Sequence, residues 1–317
     1  MERPVNKMRI VFMGTPDFAV PSLQALHEAG HNIVGVFTQP DRPAGRGGKI
    51  TASPVKLLAQ KLELPVYQPA SIKDPASLEL IKQLAPECIV VVAYGQILPR
   101  AILEYPPFGC VNVHASLLPA YRGAAPIHWA VINGESKTGV TTMLMDEGLD
   151  TGDILLAKEV AIDGNATTGD IHDQLMLIGA ELLLDTLQGL KEGKLKGTPQ
   201  PADFSYAPIL QREDERLDWS WEAAKIHNRI RGLSPWPGAF TTFRGEEVKI
   251  WQSELVEEDV FPELLPGEIS LERNKRFIVG TGKGKLKINT VQPAGKRKMS
   301  ALDFYNGRKI AAGERFL

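Results

Sequence analysis

Cysteine is scarce in this chain, and long apolar runs are missing. Two of the 317 residues are cysteines, Cys88 and Cys110, and neither has a second cysteine or a histidine at metal-ligand spacing. We therefore expect buried free thiols, no disulfide and no metal site. The longest apolar stretch, from Cys88 to Tyr94, is far shorter than the ~20 residues that a membrane helix requires. Residues 1–7 are charged and lack the apolar segment of a signal peptide, so we expect a cytoplasmic protein with no membrane association.

Net charge is also small, at −2, which argues against a uniformly basic nucleic-acid binder. This average conceals an asymmetry, because acidic side chains are in excess over residues 1–206 and basic ones over residues 207–317. Residues 273–298 contain nine lysines and arginines and no acidic residue. Such a run is typical of surfaces that bind polyanions, but it also fits a solvated strand face balanced by the acidic stretch 246–263. The charge pattern alone leaves both interpretations open.

The length exceeds the ~250 to 300 residues at which a single hydrophobic core stops growing, so we expect two domains. Apolar residues make up 43% and charged residues 23%, as in globular proteins. Up to about residue 160, short Val- and Ile-rich runs alternate with amphipathic segments, which predicts a Rossmann-like α/β domain with a parallel sheet covered on both faces. The predicted strands are 9–13, 33–38, 88–93, 109–113, 140–145 and 154–160, and the predicted helices are 18–29, 54–62, 75–84, 126–133 and 168–192.

Glycine and proline interrupt the pattern after the long last helix. We assign residues 1–192 to a catalytic domain, 193–211 to a linker and 212–317 to a second domain. The second domain has one predicted helix, 220–231, followed by short strand-like pieces separated by glycines. This pattern predicts a small, mostly antiparallel OB-like β-barrel.

Two nucleotide-binding motifs are incomplete. Gly14 opens the first strand-to-helix turn but lacks the second and third glycines of a dinucleotide-binding loop. Gly47 to Ile50 is similar to the end of a P-loop, but Ile50 stands where serine or threonine is required. Nicotinamide-dependent chemistry and nucleotide hydrolysis are therefore disfavoured.

Three polar residues carry the strongest chemical signal. Asn112 and His114 alternate at the end of the strand near residues 109–113, so they share a face at the edge where parallel sheets bind ligands. Asp150 follows the next strand, in a loop framed by glycines, and could reach the same crevice. A satisfied buried polar pair remains the alternative for the first two residues. An amide, an imidazole and a carboxylate without a Ser or Cys nucleophile favour direct acyl transfer to an external amine.

The motifs around these residues resemble the folate-dependent formyltransferases. They are Asn112-x-His114, Ser116-Leu-Leu-Pro119, Tyr121-Arg-Gly-Ala-Ala-Pro126 and Gly148-Leu-Asp150-Thr-Gly152, and further motifs in both halves follow in the family's order. The resemblance implies 10-formyltetrahydrofolate as co-substrate and no metal. It implies that Asn112 and His114 donate hydrogen bonds to the formyl oxygen while Asp150 accepts the proton of the attacking amine. It also implies a folate pocket lined by Tyr94, Gln96, Ile97, Leu98, Ser116, Leu117, Leu118 and Pro119.

Within the family, the order of motifs is most similar to that of the members acting on initiator methionyl-tRNA. The resemblance then implies that the basic loop 39–49 grips the acceptor end of the tRNA and that basic strands of the second domain follow phosphates, with no obligatory protein partner. The expected tRNA contacts are Arg42, Arg46, Lys49, Lys296, Arg297 and Lys298. Two alternatives stay open: a relative that formylates glycinamide ribonucleotide or an amino sugar or hydrolyses the folate, and an RNA-binding protein that has lost its activity.

Overall fold

The chain divides into two compact units that are not consecutive in sequence. The computed structural model describes residues 7–44, 49–256, 263–272 and 275–317. Unit 1 consists of Met1–Gly123, Gly139–Val160 and His172–Tyr206, and unit 2 of Ala124–Thr138, Ala161–Ile171 and Ala207–Leu317. The boundaries 1–192, 193–211 and 212–317 inferred from composition stay a prediction.

Unit 1 is built on a seven-stranded sheet in the order β5-β2-β1-β6-β7-β8-β9. The strands of this part of the chain are β1 (Arg9–Gly14), β2 (Asn32–Phe37), β3 (Arg42–Ala44), β4 (Lys49–Thr51), β5 (Val66–Tyr67), β6 (Cys88–Val92), β7 (Cys110–His114), β8 (Lys137–Leu144) and β9 (Ile154–Ala161). Strands β5 to β7 in this order are paired in parallel, whereas β8 is antiparallel to β7. Strands β3 and β4 form a separate hairpin that was not predicted.

Eight α-helices are present in the described residues. They are α1 (Val20–Glu28), α2 (Pro54–Lys61), α3 (Pro75–Leu84), α4 (Arg100–Leu103), α5 (Pro126–Ile132), α6 (Thr168–Lys191), α7 (Ala223–Gly232) and α8 (Ala301–Arg308), with short 3-10 turns at Asp17–Ala19 and Arg212–Glu215. The predicted cap of α2 is confirmed, since the Ser53 hydroxyl accepts a hydrogen bond from the Lys56 amide at 3.1 Å. In the part of the chain that the structure covers, no helix has the length and apolar character to cross a membrane.

The predicted parallel sheet is found, but its strand β8 runs antiparallel to β7, a detail that was not predicted. A parallel crossover needs a helix that packs back on the sheet between the two strands. Here the intervening helix α5 packs against α7 within unit 2 instead, with Gly232 of α7 against Ile132 of α5. The long helix α6 does cover the sheet. It approaches β7 closely at Gly179, where a Cβ atom would lie 3.0 Å from Cγ1 of Val113.

Apolar strand residues form the core of unit 1, and Cys110 belongs to it. Cys88 and Cys110 are buried free thiols, as predicted. Burial raises the pKa of the Cys110 thiol to about 12 and raises that of Cys88 as well. Both side chains therefore act as small apolar groups rather than as nucleophiles.

Unit 2 contains an antiparallel sheet, so the predicted fold class, a Rossmann-like α/β domain with a parallel sheet followed by a small OB-like β domain, is confirmed. The strands are β10 (Ala239–Phe243), β11 (Glu246–Leu255), β12 (Ile269–Leu271), β13 (Phe277–Gly280), β14 (Lys285–Pro293) and β15 (Met299–Ser300). Their order is β10-β11-β14-β13-β12, with β15 beside β14. Its core combines aliphatic side chains with packed aromatic rings, and the rings of Trp219 and Phe316 stack at a centroid distance of 5.5 Å.

Candidate active site

Strand β7 carries two polar side chains to the carboxyl edge of the sheet. Asn112 lies level with Val91 of the parallel neighbour β6, and His114 is the last residue of β7. His114 is buried, at 7% exposure, whereas Asn112 is partly exposed. Among the described residues, none hydrogen-bonds to the Asn112 side-chain amide. The strand end therefore presents one amide that can donate to a ligand and one imidazole held in the protein.

Two neighbours fix the His114 ring. Its Nε2 lies 3.0 Å from the Tyr121 carbonyl oxygen, which can only accept, so Nε2 carries the hydrogen and donates it. Its Nδ1 lies 3.7 Å from Oδ2 of Asp150. The structure thus brings Asp150 to the histidine, with both side chains largely buried. Over the described residues, no group of three His, Cys, Asp or Glu side chains could hold a metal ion.

Asp150 reaches this position from an unexpected direction. Because β8 is antiparallel to β7, its last residue Leu144 pairs with Val111, three residues before His114. The loop after β8 must therefore fold back along the strand. Asp150 itself has a positive φ of 54°, and its Oδ2 accepts a hydrogen bond of 2.8 Å from the Gly123 amide. The backbone conformation of Asp150 and the hydrogen bond from the Gly123 amide together hold the carboxylate in place.

Gln200 and Arg122 anchor the same loop, and sequence reasoning assigned neither a role. The Gln200 amide donates to the carbonyls of Asp150 and Gly152, at 2.8 Å each. Its Oε1 accepts from Nε and Nη2 of Arg122 at 3.0 and 2.7 Å, and Arg122 is buried. Gln200 falls in the segment read as a linker, where the one available signal was its place between two prolines, Pro199 and Pro201.

Gly152 allows the loop to fold this tightly. A Cβ atom there would lie 1.7 Å from the Leu144 carbonyl oxygen, a distance at which the backbone must move. Asp146 closes the loop from the other side, since its Oδ1 accepts from the Gly148 amide at 3.0 Å and from the Thr151 hydroxyl at 2.6 Å. The glycine framing noted in the sequence therefore reflects close backbone contacts within the loop.

The first predicted folate segment follows β6. Tyr94 and Leu98 are buried, whereas Ile97 is 71% exposed. The Tyr94 hydroxyl is buried without a hydrogen-bond partner among the described residues, and burial raises its pKa to about 12. The Gln96 side chain accepts from the Ile72 amide at 2.7 Å, so it holds a neighbouring loop in place. Ile97 is the residue of this segment whose apolar side chain faces outward.

The second predicted folate segment follows β7, the neighbour of β6 in the sheet. The Ser116 hydroxyl donates to the Ala120 carbonyl at 2.6 Å, and the Leu118 amide donates to the Thr141 hydroxyl at 3.1 Å. The Leu118-Pro119 peptide bond is cis. A Cβ atom at Gly139 would lie 2.5 Å from Cδ2 of Leu117, so this glycine leaves room for the Leu117 side chain. Ser116 to Pro119 thus form a turn at the same sheet edge as the first segment, and their contact with folate stays a prediction.

Of the three basic residues predicted to contact tRNA in the loop 39–49, the structure describes Arg42 and the backbone of Lys49. Arg42 is exposed at the start of β3 and donates from Nη2 to Oε1 of Gln39 at 3.2 Å. Lys49 pairs with Ala44 across the β3–β4 hairpin through its backbone. Arg46 lies outside the described residues.

The basic residues predicted at 296–298 lie in unit 2. Lys296, Arg297 and Lys298 are exposed between β14 and β15, and the Lys298 ammonium lies 3.6 Å from the centroid of the Trp251 ring. Beside them is a cleft of about 590 Å³ whose lining includes Trp251, Lys298 and the buried Arg231. Elsewhere in the basic run, Lys287 is paired with Glu254 at 3.0 Å, so only part of the run is free for a polyanion.

Family models and relatives agree with this architecture. The chain matches the model described as formyl transferase over residues 8–187 and that of the formyl transferase C-terminal domain over residues 209–309. The methionyl-tRNA formyltransferase of Pelotomaculum thermopropionicum is 53% identical over 306 residues, which cover 96% of this chain and 97% of the relative.

Solved structures add fold similarity at low identity. HypX from Aquifex aeolicus, in complex with tetrahydrofolic acid, has a TM-score of 0.65 and 19% identity, and the match covers 95% of this chain. This chain spans about half of HypX, 47% of its length. The N-formyltransferase from Helicobacter canadensis, in complex with folinic acid and dTDP-3-aminofucose, has a TM-score of 0.67 and 20% identity over 90% of this chain and 99% of that one. With both family domains matched in order and a full-length relative at 53% identity, the chain belongs to the formyl transferase family, on the branch of the methionyl-tRNA formyltransferases.

Proposed function

We infer that this protein transfers the formyl group of 10-formyltetrahydrofolate to the amino group of methionyl-tRNA, the reaction that prepares the tRNA for translation initiation. The observation that carries this proposal is the approach of Asp150 to His114, at 3.7 Å, on the strand that also carries Asn112, whose amide has no hydrogen-bond partner among the described residues. Methionyl-tRNA is proposed as the acceptor because the relative at 53% identity over nearly the whole chain is a methionyl-tRNA formyltransferase.

The residues at the sheet edge fit the folate co-substrate. Asn112 offers an amide with no hydrogen-bond partner in the described part of the chain, and Ile97 offers exposed apolar surface after the adjacent strand. When bound, 10-formyltetrahydrofolate supplies a reactive N-formyl group. The segments at Tyr94 to Leu98 and Ser116 to Pro119 would hold the pterin through backbone groups and apolar side chains.

The three polar residues then have distinct tasks. Asn112 donates a hydrogen bond to the formyl oxygen, on which negative charge grows as the amine attacks, and one such donor is worth roughly 2.7 to 4 kcal/mol in other enzymes. In this geometry Nε2 of His114 donates its hydrogen to the Tyr121 carbonyl. A second hydrogen bond to the formyl oxygen would therefore have to come from a protonated Nδ1 of His114. Asp150 beside Nδ1 is the base that accepts the proton of the amine, directly or through water.

Basic residues would bind the tRNA rather than take part in chemistry. We assign the grip on the acceptor end to the loop with Arg42, Arg46 and Lys49, and contacts to phosphates to the exposed residues at 296–298. Initiator methionyl-tRNA is the proposed partner, no protein partner is required, and the proposed location is the cytoplasm.

One assay tests the proposal against its alternatives. The purified chain is given 10-formyltetrahydrofolate together with methionyl-tRNA, glycinamide ribonucleotide or an amino-sugar nucleotide. We expect formyl-methionyl-tRNA as the main product. Formylation of a small acceptor, release of formate alone, or tRNA binding without any transfer would each contradict it in favour of one of the alternatives.

A further inference from the structure

Two aromatic side chains stand exposed beside the catalytic residues without a role in the core. Phe204 is 46% and Tyr206 is 57% exposed, and their rings meet edge to face with centroids 5.2 Å apart. Large exposed aromatic rings held in a fixed arrangement are uncommon without a ligand or partner. Both residues belong to unit 1.

Hydrogen bonds tie this aromatic pair to the residues that hold His114 and Asp150. Ser205, between the two rings, accepts from the Tyr121 amide at 2.9 Å through its hydroxyl and from the Arg122 amide at 2.9 Å through its carbonyl. The carbonyl of the same Tyr121 is the acceptor for His114. Ser205 therefore links the aromatic pair directly to Tyr121, the residue whose carbonyl holds the His114 ring.

Arg122 holds the pair from the other side. Its guanidinium lies 4.5 Å from the Phe204 ring centroid and donates to Gln200, which in turn anchors the Asp150 loop. The aromatic pair and the catalytic carboxylate are therefore attached to one rigid network. A group stacked on these rings would have a fixed position relative to the reacting amine.

The covalent structure of methionyl-tRNA indicates which group could stack on these rings. In methionyl-tRNA the reacting amine is joined through an ester to the ribose of the 3′-terminal nucleotide, so standard bond lengths keep its base within ~10 Å of the amine. When the amine is at Asp150, the terminal adenine has to lie on the surface immediately around the site. Unpaired bases bind proteins by stacking on aromatic side chains.

We propose that Phe204 and Tyr206 form the binding site for the 3′-terminal adenine of methionyl-tRNA. The inference rests on the proposed function and adds a positioning site to it. The pair is a base platform, and it places the methionyl amine toward Asp150 without contacting the reacting atoms.

The test varies the base and the platform together. Two full-length tRNAs are prepared, one ending in adenosine and one ending in an abasic ribose, and both are chemically acylated with methionine. Formylation kcat/KM is measured for the parent, Phe204→Ala, Tyr206→Ala and Tyr206→Phe. Leu177→Ala serves as the control, since it removes a side chain of similar exposure, 56%, from the surface of α6.

On the adenosine-ended tRNA, we expect Tyr206→Ala and Phe204→Ala to lose about 10-fold or more in kcat/KM, the range for one stacked base. Tyr206→Phe and Leu177→Ala should stay within about 2-fold of the parent, because stacking needs the ring and not the hydroxyl. The parent should also lose about 10-fold on the abasic tRNA, on which the alanine variants should add no further loss.

Three results would overturn the platform while leaving the proposed function intact. The parent could use both tRNAs equally, the alanine variants could lose equally on both, or Tyr206→Phe could be as slow as Tyr206→Ala. An equal loss on both tRNAs would point to the methionyl side chain or to a structural role. Absence of formylation of either tRNA by the parent would instead contradict the proposed function itself.

Discussion

Replacing Gln200 should separate the stability of the site from its catalytic geometry. The side chain makes four hydrogen bonds, two donated to the carbonyls of Asp150 and Gly152 and two accepted from the buried Arg122. At about 0.5 to 1.5 kcal/mol for each bond, Gln200→Ala should lower the free energy of unfolding by ~2 to 6 kcal/mol. Loss of both anchors also frees the Asp150 backbone, and a displacement of ~1 Å can cost ~100-fold in rate.

Gln200→Glu separates the two kinds of hydrogen bond, because it removes the donors and keeps the acceptors. Gln200→Glu still accepts from Arg122 but cannot donate to the two carbonyls, so it should keep more of the stability than Gln200→Ala and lose at least ~10-fold in turnover, as the alanine variant does. Urea unfolding and kcat with charged tRNA are measured for both. Gln24→Ala is the control, because Gln24 makes a single surface bond to Glu28, and both quantities should be unchanged within error. Normal turnover in Gln200→Glu would refute the idea that this amide positions Asp150.

The remaining predictions concern the loop glycine, the thiols and the basic surface. Gly152→Ala should cut turnover by more than ~10-fold because its Cβ would meet the Leu144 carbonyl at 1.7 Å, whereas Gly307→Ala, an open helical position, should raise the melting temperature slightly; equal melting temperature and turnover in both variants would contradict the contact. Both buried thiols should resist alkylation at pH 8 in the folded protein and react after unfolding, as mass spectrometry would show, and rapid labelling of the native protein would contradict their raised pKa. Neutralising the three basic residues at 296–298 should weaken tRNA binding and flatten the slope of log affinity against log salt by up to ~2 to 3 units, with the rate at saturating tRNA unchanged; parallel lines would show that these residues touch no phosphate.

The sequence predicted the regular elements well wherever periodicity and turn residues agree. The strand 88–93 is found as Cys88–Val92, and the helix beginning at Pro54 with Ser53 as its cap is found as Pro54–Lys61. These elements follow from local chemistry, namely a continuous apolar run and a hydroxyl before a proline. The same reasoning located Asn112 and His114 on one strand end, because side-chain alternation is a local property.

Features that depend on distant contacts were missed. The direction of β8 depends on whether α5 packs on the sheet. The sequence of residues 126–144 does not indicate that α5 packs against α7 instead. Gln200 is a single amide in a proline-rich stretch, and its role arises only when the loop at Asp150 folds back 50 positions away in the sequence. The hydrogen bond between His114 and the Tyr121 carbonyl depends on the orientation of the imidazole ring, which a sequence motif does not specify.

The proposed reaction depends most directly on Asp150 as the base that receives the proton of the amine. The decisive measurement is the single-turnover rate of formyl transfer by Asp150→Asn with saturating 10-formyltetrahydrofolate and methionyl-tRNA, beside its tRNA affinity and melting temperature. Asparagine can still fill the site near His114 but cannot take a proton, so the rate should fall by more than ~100-fold while binding and folding are retained. A near-normal rate in this variant would contradict the central claim, and the proton acceptor would then have to be another group.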